Sequence, residues 1–75
     1  MDVKKVLDAK GLACPMPVVR ARKAMKDLEA GEILEIHATD KGSVADMAAW
    51  SKSGGHKLLK QTEENGVFLF WIQKG

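Results

Sequence analysis

The sequence predicts an α+β protein: a two-layer α/β sandwich in the order βαβαββ, with two helices on one face of a four-stranded mixed sheet. Three observations lead there. Along the chain the apolar residues switch between the period of a strand and the period of a helix. Glycines punctuate the joints between these stretches, at positions 11, 31, 42, 54, 55 and 66. Asn65-Gly66 separates two final runs of strand character, which is the signature of a hairpin. Each strand-helix-strand passage should cross over right-handed, which puts both helices on the same side of the sheet.

The elements follow in order. Val3, Lys5, Leu7 and Ala9 alternate with Lys4, Val6 and Asp8, a first strand that stops before Lys10 and Gly11. From Pro15 to about Glu29, Val18, Ala21, Met25 and Leu28 share one helical stripe, with Arg20, Lys23 and Asp27 away from it and Gly31 ending the helix. Glu32 to Thr39 alternates Leu34, Ile36 and Ala38 against Ile33, Glu35, His37 and Thr39, a strand packed on one side. Asp40, Lys41 and Gly42 form a loop, Ser43 reads as the N-cap of a second helix, and Asp46 at its N3 position supplies an acidic residue to the first turn. Val44, Met47 and Ala48 begin the buried stripe of that helix, and Gly54 and Gly55 stop it. Lys57 to about Glu63 is a third strand, Glu64, Asn65 and Gly66 a turn, and Val67 to Ile72 an apolar run suited to an interior strand. The uncovered sheet face carries polar residues such as Lys4, Glu35 and His37. Because the last strand is apolar on both sides, either Phe70 or Trp71 emerges on that face.

Composition narrows the class. With 75 residues the chain makes one small domain, residues 1–75, whose function must fit on one face. Hydrophobic residues at 45% and charged residues at 29% exclude a disordered polar tail. No stretch approaches the roughly 20 apolar residues that a bilayer span needs, so no membrane role is expected. The opening MDVKKVLDAKGLAC lacks the apolar core of a secretory signal, which points to the cytoplasm, where thiols stay reduced. Twelve Lys and Arg against ten Asp and Glu give a net charge of +2, spread without a basic run, a weak basis for nucleic acid binding. The single cysteine, Cys14, excludes an internal disulfide, a CxxC redox pair and a thiolate zinc site. No metal and no cofactor are expected.

The chemically unusual segment is Gly11-Leu12-Ala13-Cys14-Pro15-Met16-Pro17, between the first strand and the first helix. Proline has a φ already suited to a first helical turn and no N–H to leave unpaired there, so Pro15 or Pro17 fixes the helix start. Cys14 then falls at or just before the N-terminus. Unpaired backbone N–H groups and the positive end of the helix dipole favour an anion at that place, which predicts a thiolate with a pKa below the free value of about 8.5. Lys10 adds positive potential if its side chain turns toward the sulfur. An exposed thiolate on a rigid turn is a nucleophile and a sulfur acceptor that needs no general base. The opposing reading, a small buried hydrophobe capping the core, is common for free cysteine, but the loop position weighs against it.

Cys14-Pro15-Met16-Pro17 matches the Cys-Pro-X-Pro mark of the TusA/SirA-like sulfur-carrier proteins, which this sequence resembles. Before it, Asp8-Ala9-Lys10-Gly11-Leu12-Ala13 fits the family's Asp-X-X-Gly-X-X. The likeness continues through Thr39-Asp40, Ser43-Val44-Ala45-Asp46 and Ser53-Gly54-Gly55-His56, nearly the whole chain. The resemblance implies the same βαβαββ sandwich and a sulfurtransferase-type sulfur relay. In it Cys14 accepts sulfane sulfur as a persulfide from a donor protein, a cysteine desulfurase or a rhodanese-like protein. An acceptor protein then takes the sulfur, in tRNA thiolation, molybdenum-cofactor supply or sulfur oxidation. On that reading Cys14 does the chemistry, Pro15, Met16 and Pro17 shape the site, and Lys10 and Asp40 lie near it. Many members carry a second cysteine in the second helix; here the equivalent position, after Trp50, is Ser51, so intramolecular disulfide chemistry is absent. Lys41 stands where many members have proline. Asp40 follows the second strand, and loops after parallel strands open at one sheet edge. An ordinary turn or cap role fits Asp40 as well as a direct one.

Other residues have plainer readings. His56 follows two glycines at the far end of the second helix, and His37 belongs on the open sheet face, so neither is expected to pair with Cys14. Met16 beside the thiol is a candidate docking residue, whereas Met25 and Met47 read as core filling. Arg20 and Arg22 suit either a solvated helix face or an acidic partner. The competing functional class is a non-enzymatic protein-binding or regulatory module that uses the open face around Phe70, Trp71 and His37, with Cys14 incidental.

Overall fold

The structure is a computed structural model that describes residues 2–75. Its elements are β1 (Val3–Ala9), α1 (Met16–Met25), β2 (Ile33–Ala38), α2 (Gly42–Ser53), β3 (Lys57–Glu64) and β4 (Val67–Gln73). The sheet order is β1-β2-β4-β3, with β1 parallel to β2 and β4 antiparallel to both of its neighbours. It follows that β3 runs in the direction of β1 and β2. The expected mixed four-stranded sheet with its two helices is what forms, and β4 is an interior strand as its apolar run implies.

Alternation along β2 and β4 builds the core. Leu34 pairs with Ile72 and Ile36 with Phe70, and all four side chains are fully buried beneath the helices. Successive residues of a strand point to opposite faces, so Trp71, one step from Phe70, is the residue that emerges on the open face. There it pairs with Glu35, whose Oε1 accepts from Trp71 Nε1 at 2.8 Å while Oε2 lies 2.6 Å from His37 Nε2. Lys60 Nζ, on β3, lies 5.4 Å from the centroid of the Trp71 ring, within cation–π range. From the helical side Ala21, Ala24, Met25 and Met47 complete the core with Ala9 and Ala38 of the sheet. The alanines let helix and sheet backbones approach closely.

The helix boundaries differ from the sequence reading. α1 ends at Met25, not near Glu29, because the chain tightens there: Lys26, Asp27 and Leu28 N–H groups each bond to the carbonyl three residues back. That tightening still carries Leu28 into the core at 4% exposure. α2 begins at Gly42 with Lys41 as its N-cap residue, so Ser43 lies inside the first turn. Buried, it donates its hydroxyl to the Asp40 carbonyl at 2.5 Å. Asp46 consequently falls beyond the first turn and does not serve the helix start. The buried stripe is Ser43, Met47 and Ser51, spaced by four, whereas Val44 is half-buried and Ala48 exposed. Glu64 is the last residue of β3, paired with Val67, so only Asn65 and Gly66 make the turn. Both have positive φ, 50° and 80°, the demand of a type I′ hairpin that Asn and Gly meet most readily.

Two outcomes follow. Phe70→Ala removes the largest fully buried side chain and should lower stability by about 3–5 kcal/mol in urea unfolding. Hydrogen bonds from His37, then from Trp71, hold the Glu35 carboxyl below its ordinary 4.5 despite partial burial. A lowered folded pKa means that the contribution is complete above about 4.5 and disappears as pH falls through the lower folded value. The urea midpoint of Glu35→Gln should therefore fall less steeply than wild type across that acidic window.

Candidate functional site

The parallel pairing of β1 and β2 brings the ends of both strands together, with Ala9 opposite Ala38. The loops that follow are tied to each other. Gly11 N–H donates to Thr39 Oγ1 at 2.9 Å, and Cys14 N–H donates to Asp40 Oδ2 at 3.3 Å. Gly11 has φ +82°, a left-handed conformation that glycine adopts without penalty and that the turn out of β1 requires. Met16 N–H bonds back to the Ala13 carbonyl, and Pro15 occupies the N-cap of α1. Both prolines are thus used: Pro15 caps the helix, while Pro17 lies buried in its first turn. The result is a fixed turn with Cys14 exposed at its tip.

α2 approaches the same point. A Cβ on Gly42 would lie 3.6 Å from Cys14 Cβ and 3.0 Å from Asp40 Oδ2, so the start of α2 packs directly against the turn. One turn further along, Asp46 Oδ2 accepts a hydrogen bond from Cys14 Sγ. This contact governs the thiol. A carboxylate that accepts S–H favours the protonated form, and the negative charges of Asp46 and Asp40 oppose a thiolate. The Cys14 pKa is accordingly raised, first by the Asp46 hydrogen bond, then by loss of hydration, then by the two charges. The sequence expectation of a lowered value is overturned because a helix terminus offers partial charges, whereas the two aspartates bring full ones.

The other residues singled out fall as follows. Met16 is 38% exposed beside Cys14, and Val19, one turn on, is 44% exposed. Asp40 reaches the cysteine, through its backbone N–H. Lys10 does not join them: its Nζ pairs with Asp8 Oδ1 at 3.8 Å and its N–H bonds to the same oxygen. Ser51 is buried with its hydroxyl on the Ala48 carbonyl. His37 is held on the open face by Glu35. His56 packs at a tilt against Trp50, with ring centroids 5.3 Å apart, and accepts from Gly75 N–H. Burial, and then Lys74, lower its pKa. Asp46 is the site residue that sequence reasoning missed; its assignment to the helix start accounted for its charge and hid its reach to Cys14.

No group of three or more His, Cys, Asp or Glu side chains among the described residues is arranged to hold a metal ion. Among the described residues no helix is long and apolar enough to cross a membrane. A depression of about 190 Å³ lies away from the cysteine, lined by Arg22, Met25, Lys26, Trp50, His56 and Lys74. Cys14 itself is exposed, outside that depression.

Fold and site together define a small two-layer sandwich that presents a lone thiol at the start of its first helix. The chain belongs to the sulfurtransferase TusA family, whose model matches residues 5–74. It is 68% identical over 75 residues, all of both chains, to YrkI of Bacillus subtilis (strain 168), which is named as a candidate sulfur carrier. It is 44% identical over 73 residues to the sulfur carrier protein TusA of Allochromatium vinosum, covering 97% of this chain and 96% of that one. The crystal structure of a SirA-like protein from Desulfitobacterium hafniense superposes with a TM-score of 0.83 at 30% identity, covering 95% of this chain and 97% of that one.

The raised thiol pKa has a direct readout. Alkylation of Cys14 by iodoacetamide should reach half its maximal rate above the roughly 8.5 of an unperturbed thiol, in a rate-against-pH titration.

Proposed function

We propose that this protein is a sulfur carrier that takes sulfane sulfur onto Cys14 as a persulfide and delivers it to an acceptor protein, residues 1–75 acting as one unit. The observation that carries this reading is the exposed Cys14 on a rigid, doubly tied turn in a chain of the sulfurtransferase TusA family. A thiol that projects from the surface reaches a sulfur held by another protein, which a thiol inside a cleft does not. Protein partners are also suggested by the exposed Met16 and Val19 beside it, by Arg22 and Lys23 further along α1 and by Lys26 just after it. The donor is a persulfide-bearing protein of the cysteine desulfurase or rhodanese-like kind. Delivery to tRNA thiolation, molybdenum-cofactor supply or sulfur oxidation is open to the same chemistry.

Transfer is thiol exchange, set by the thiolate fraction, the leaving thiol and access. The competing module that binds through the open face gains no observation of its own, since Trp71 and His37 already find partners in Glu35. Intact mass measurement after incubation with a persulfidated donor protein tests the proposal. Wild type should gain one sulfur atom that reductant removes, and Cys14→Ser should gain none while keeping the wild-type unfolding curve. Transferable sulfur on Cys14→Ser would sink the assignment.

A further inference from the structure

We propose that Asp46 is a positioning and specificity-determining residue for sulfur acceptance: its carboxylate holds the proton on Cys14 Sγ, so that the thiol opens most readily to a donor that brings a cationic group to Asp46. This rests on the carrier reading above and names the regulation of that same site.

The geometry supports it from every side of the sulfur. α2 contributes Asp46, half-buried, with Oδ2 accepting from Sγ. The β2–α2 loop contributes Asp40, whose Oδ2 is on the Cys14 N–H. The first turn of α1 contributes no acidic residue, and its sequence Met16-Pro17-Val18-Val19 holds no cation either. On the β1–α1 loop Lys10 is paired with Asp8. Lys41, at the N-cap of α2, is exposed. Removing the proton in place would set a third negative charge against two carboxylates, the arrangement that raises the thiol pKa. A cation from a partner, paired with Asp46, removes one of those charges and takes up the lone pairs that held the proton.

The exchange then balances without an outside oxidant or reductant. Cys14 Sγ bonds to the terminal sulfur of the donor R–S–SH, and the donor's S–S bond breaks with its electron pair leaving on the inner sulfur. The proton that Asp46 had held ends there, so that Cys14–SH and R–S–SH become Cys14–S–SH and R–SH. One thiol and one persulfide are present before and after. A small persulfide without a cation meets the closed form, and a protein donor with a suitably placed Arg or Lys meets the open one.

The test uses the full chain as wild type, Asp46→Asn and Asp46→Glu, with urea unfolding to establish that each is folded. In iodoacetamide titrations Asp46→Asn should move the half-maximal pH downward. Because nucleophilicity falls with thiol pKa, each unit of that shift speeds alkylation at neutral pH by about three- to fourfold instead of tenfold. Asp46→Glu, which keeps the charge, should return part of the wild-type profile and also stands in should the asparagine variant fail to fold. An unmoved or raised midpoint in Asp46→Asn overturns the proposal. Mass measurement of loading by N-acetylcysteine persulfide, which carries no cation, should show Asp46→Asn loading faster than wild type. Slower loading would make Asp46 an assisting group and overturn the proposal. A shifted alkylation profile with no sulfur gained by any variant from any donor would instead overturn the carrier reading, and donor selection with it.

Discussion

Because β1 and β2 run parallel and side by side, the chain must leave both at the same edge of the sheet, and the rest of the site depends on that constraint. Two loops that are distant in sequence become neighbours. Thr39 and Asp40 of the second loop then accept backbone hydrogens from Gly11 and Cys14 of the first. Were the two strands antiparallel neighbours, these loops would emerge at opposite edges and the cysteine turn would lack its side-chain acceptors. The ties are backbone to side chain, which fixes the turn without enclosing it and leaves the sulfur exposed.

The core is small, and its composition explains how it supports such a turn. Ala9, Ala38, Ala21 and Ala24 bring the helical layer close to β1 and β2, while Phe70, Ile72, Leu34 and Ile36 supply most of the buried apolar volume. Gly42 continues this close approach at the site end, where a side chain would press on Asp40. On the other face of the sheet Glu35, His37, Trp71 and Lys60 satisfy one another, so a sheet with only one covered side presents few unpartnered polar groups.

At Cys14 the helix terminus is a weak influence. The first turn of α1 has few free N–H groups to offer an anion, since Pro15 and Pro17 carry none and the Met16 N–H is bonded to the Ala13 carbonyl. Asp46 and Asp40 oppose a thiolate with full charges, one of them through a direct hydrogen bond to the sulfur. Both carboxylates thus favour the protonated thiol, the direction in which the Cys14 pKa moves.

The strands, the hairpin and the existence of both helices were legible because each is a local pattern: alternation in β2, the Asn65-Gly66 turn, the apolar run of β4. Helix limits were less so. α1 gave up its last turn to three-residue hydrogen bonds that carry Leu28 inward, a choice made by packing and not by propensity. Cys14 and its prolines stood out as residues, and Asp40 could be placed from topology. Asp46 could not, since its contact to Cys14 joins positions 32 apart through a helix whose N-cap falls at Lys41, two residues before the Ser43 that the sequence suggested. Two residues turn a helix by about 200°, which is the difference between a cap and a partner of the thiol. The sequence alone therefore singled out Cys14 and where along the chain it is displayed. Only the tertiary structure decided which charges surround it, because charge acts through space and the aspartates that reach the cysteine come from another part of the chain.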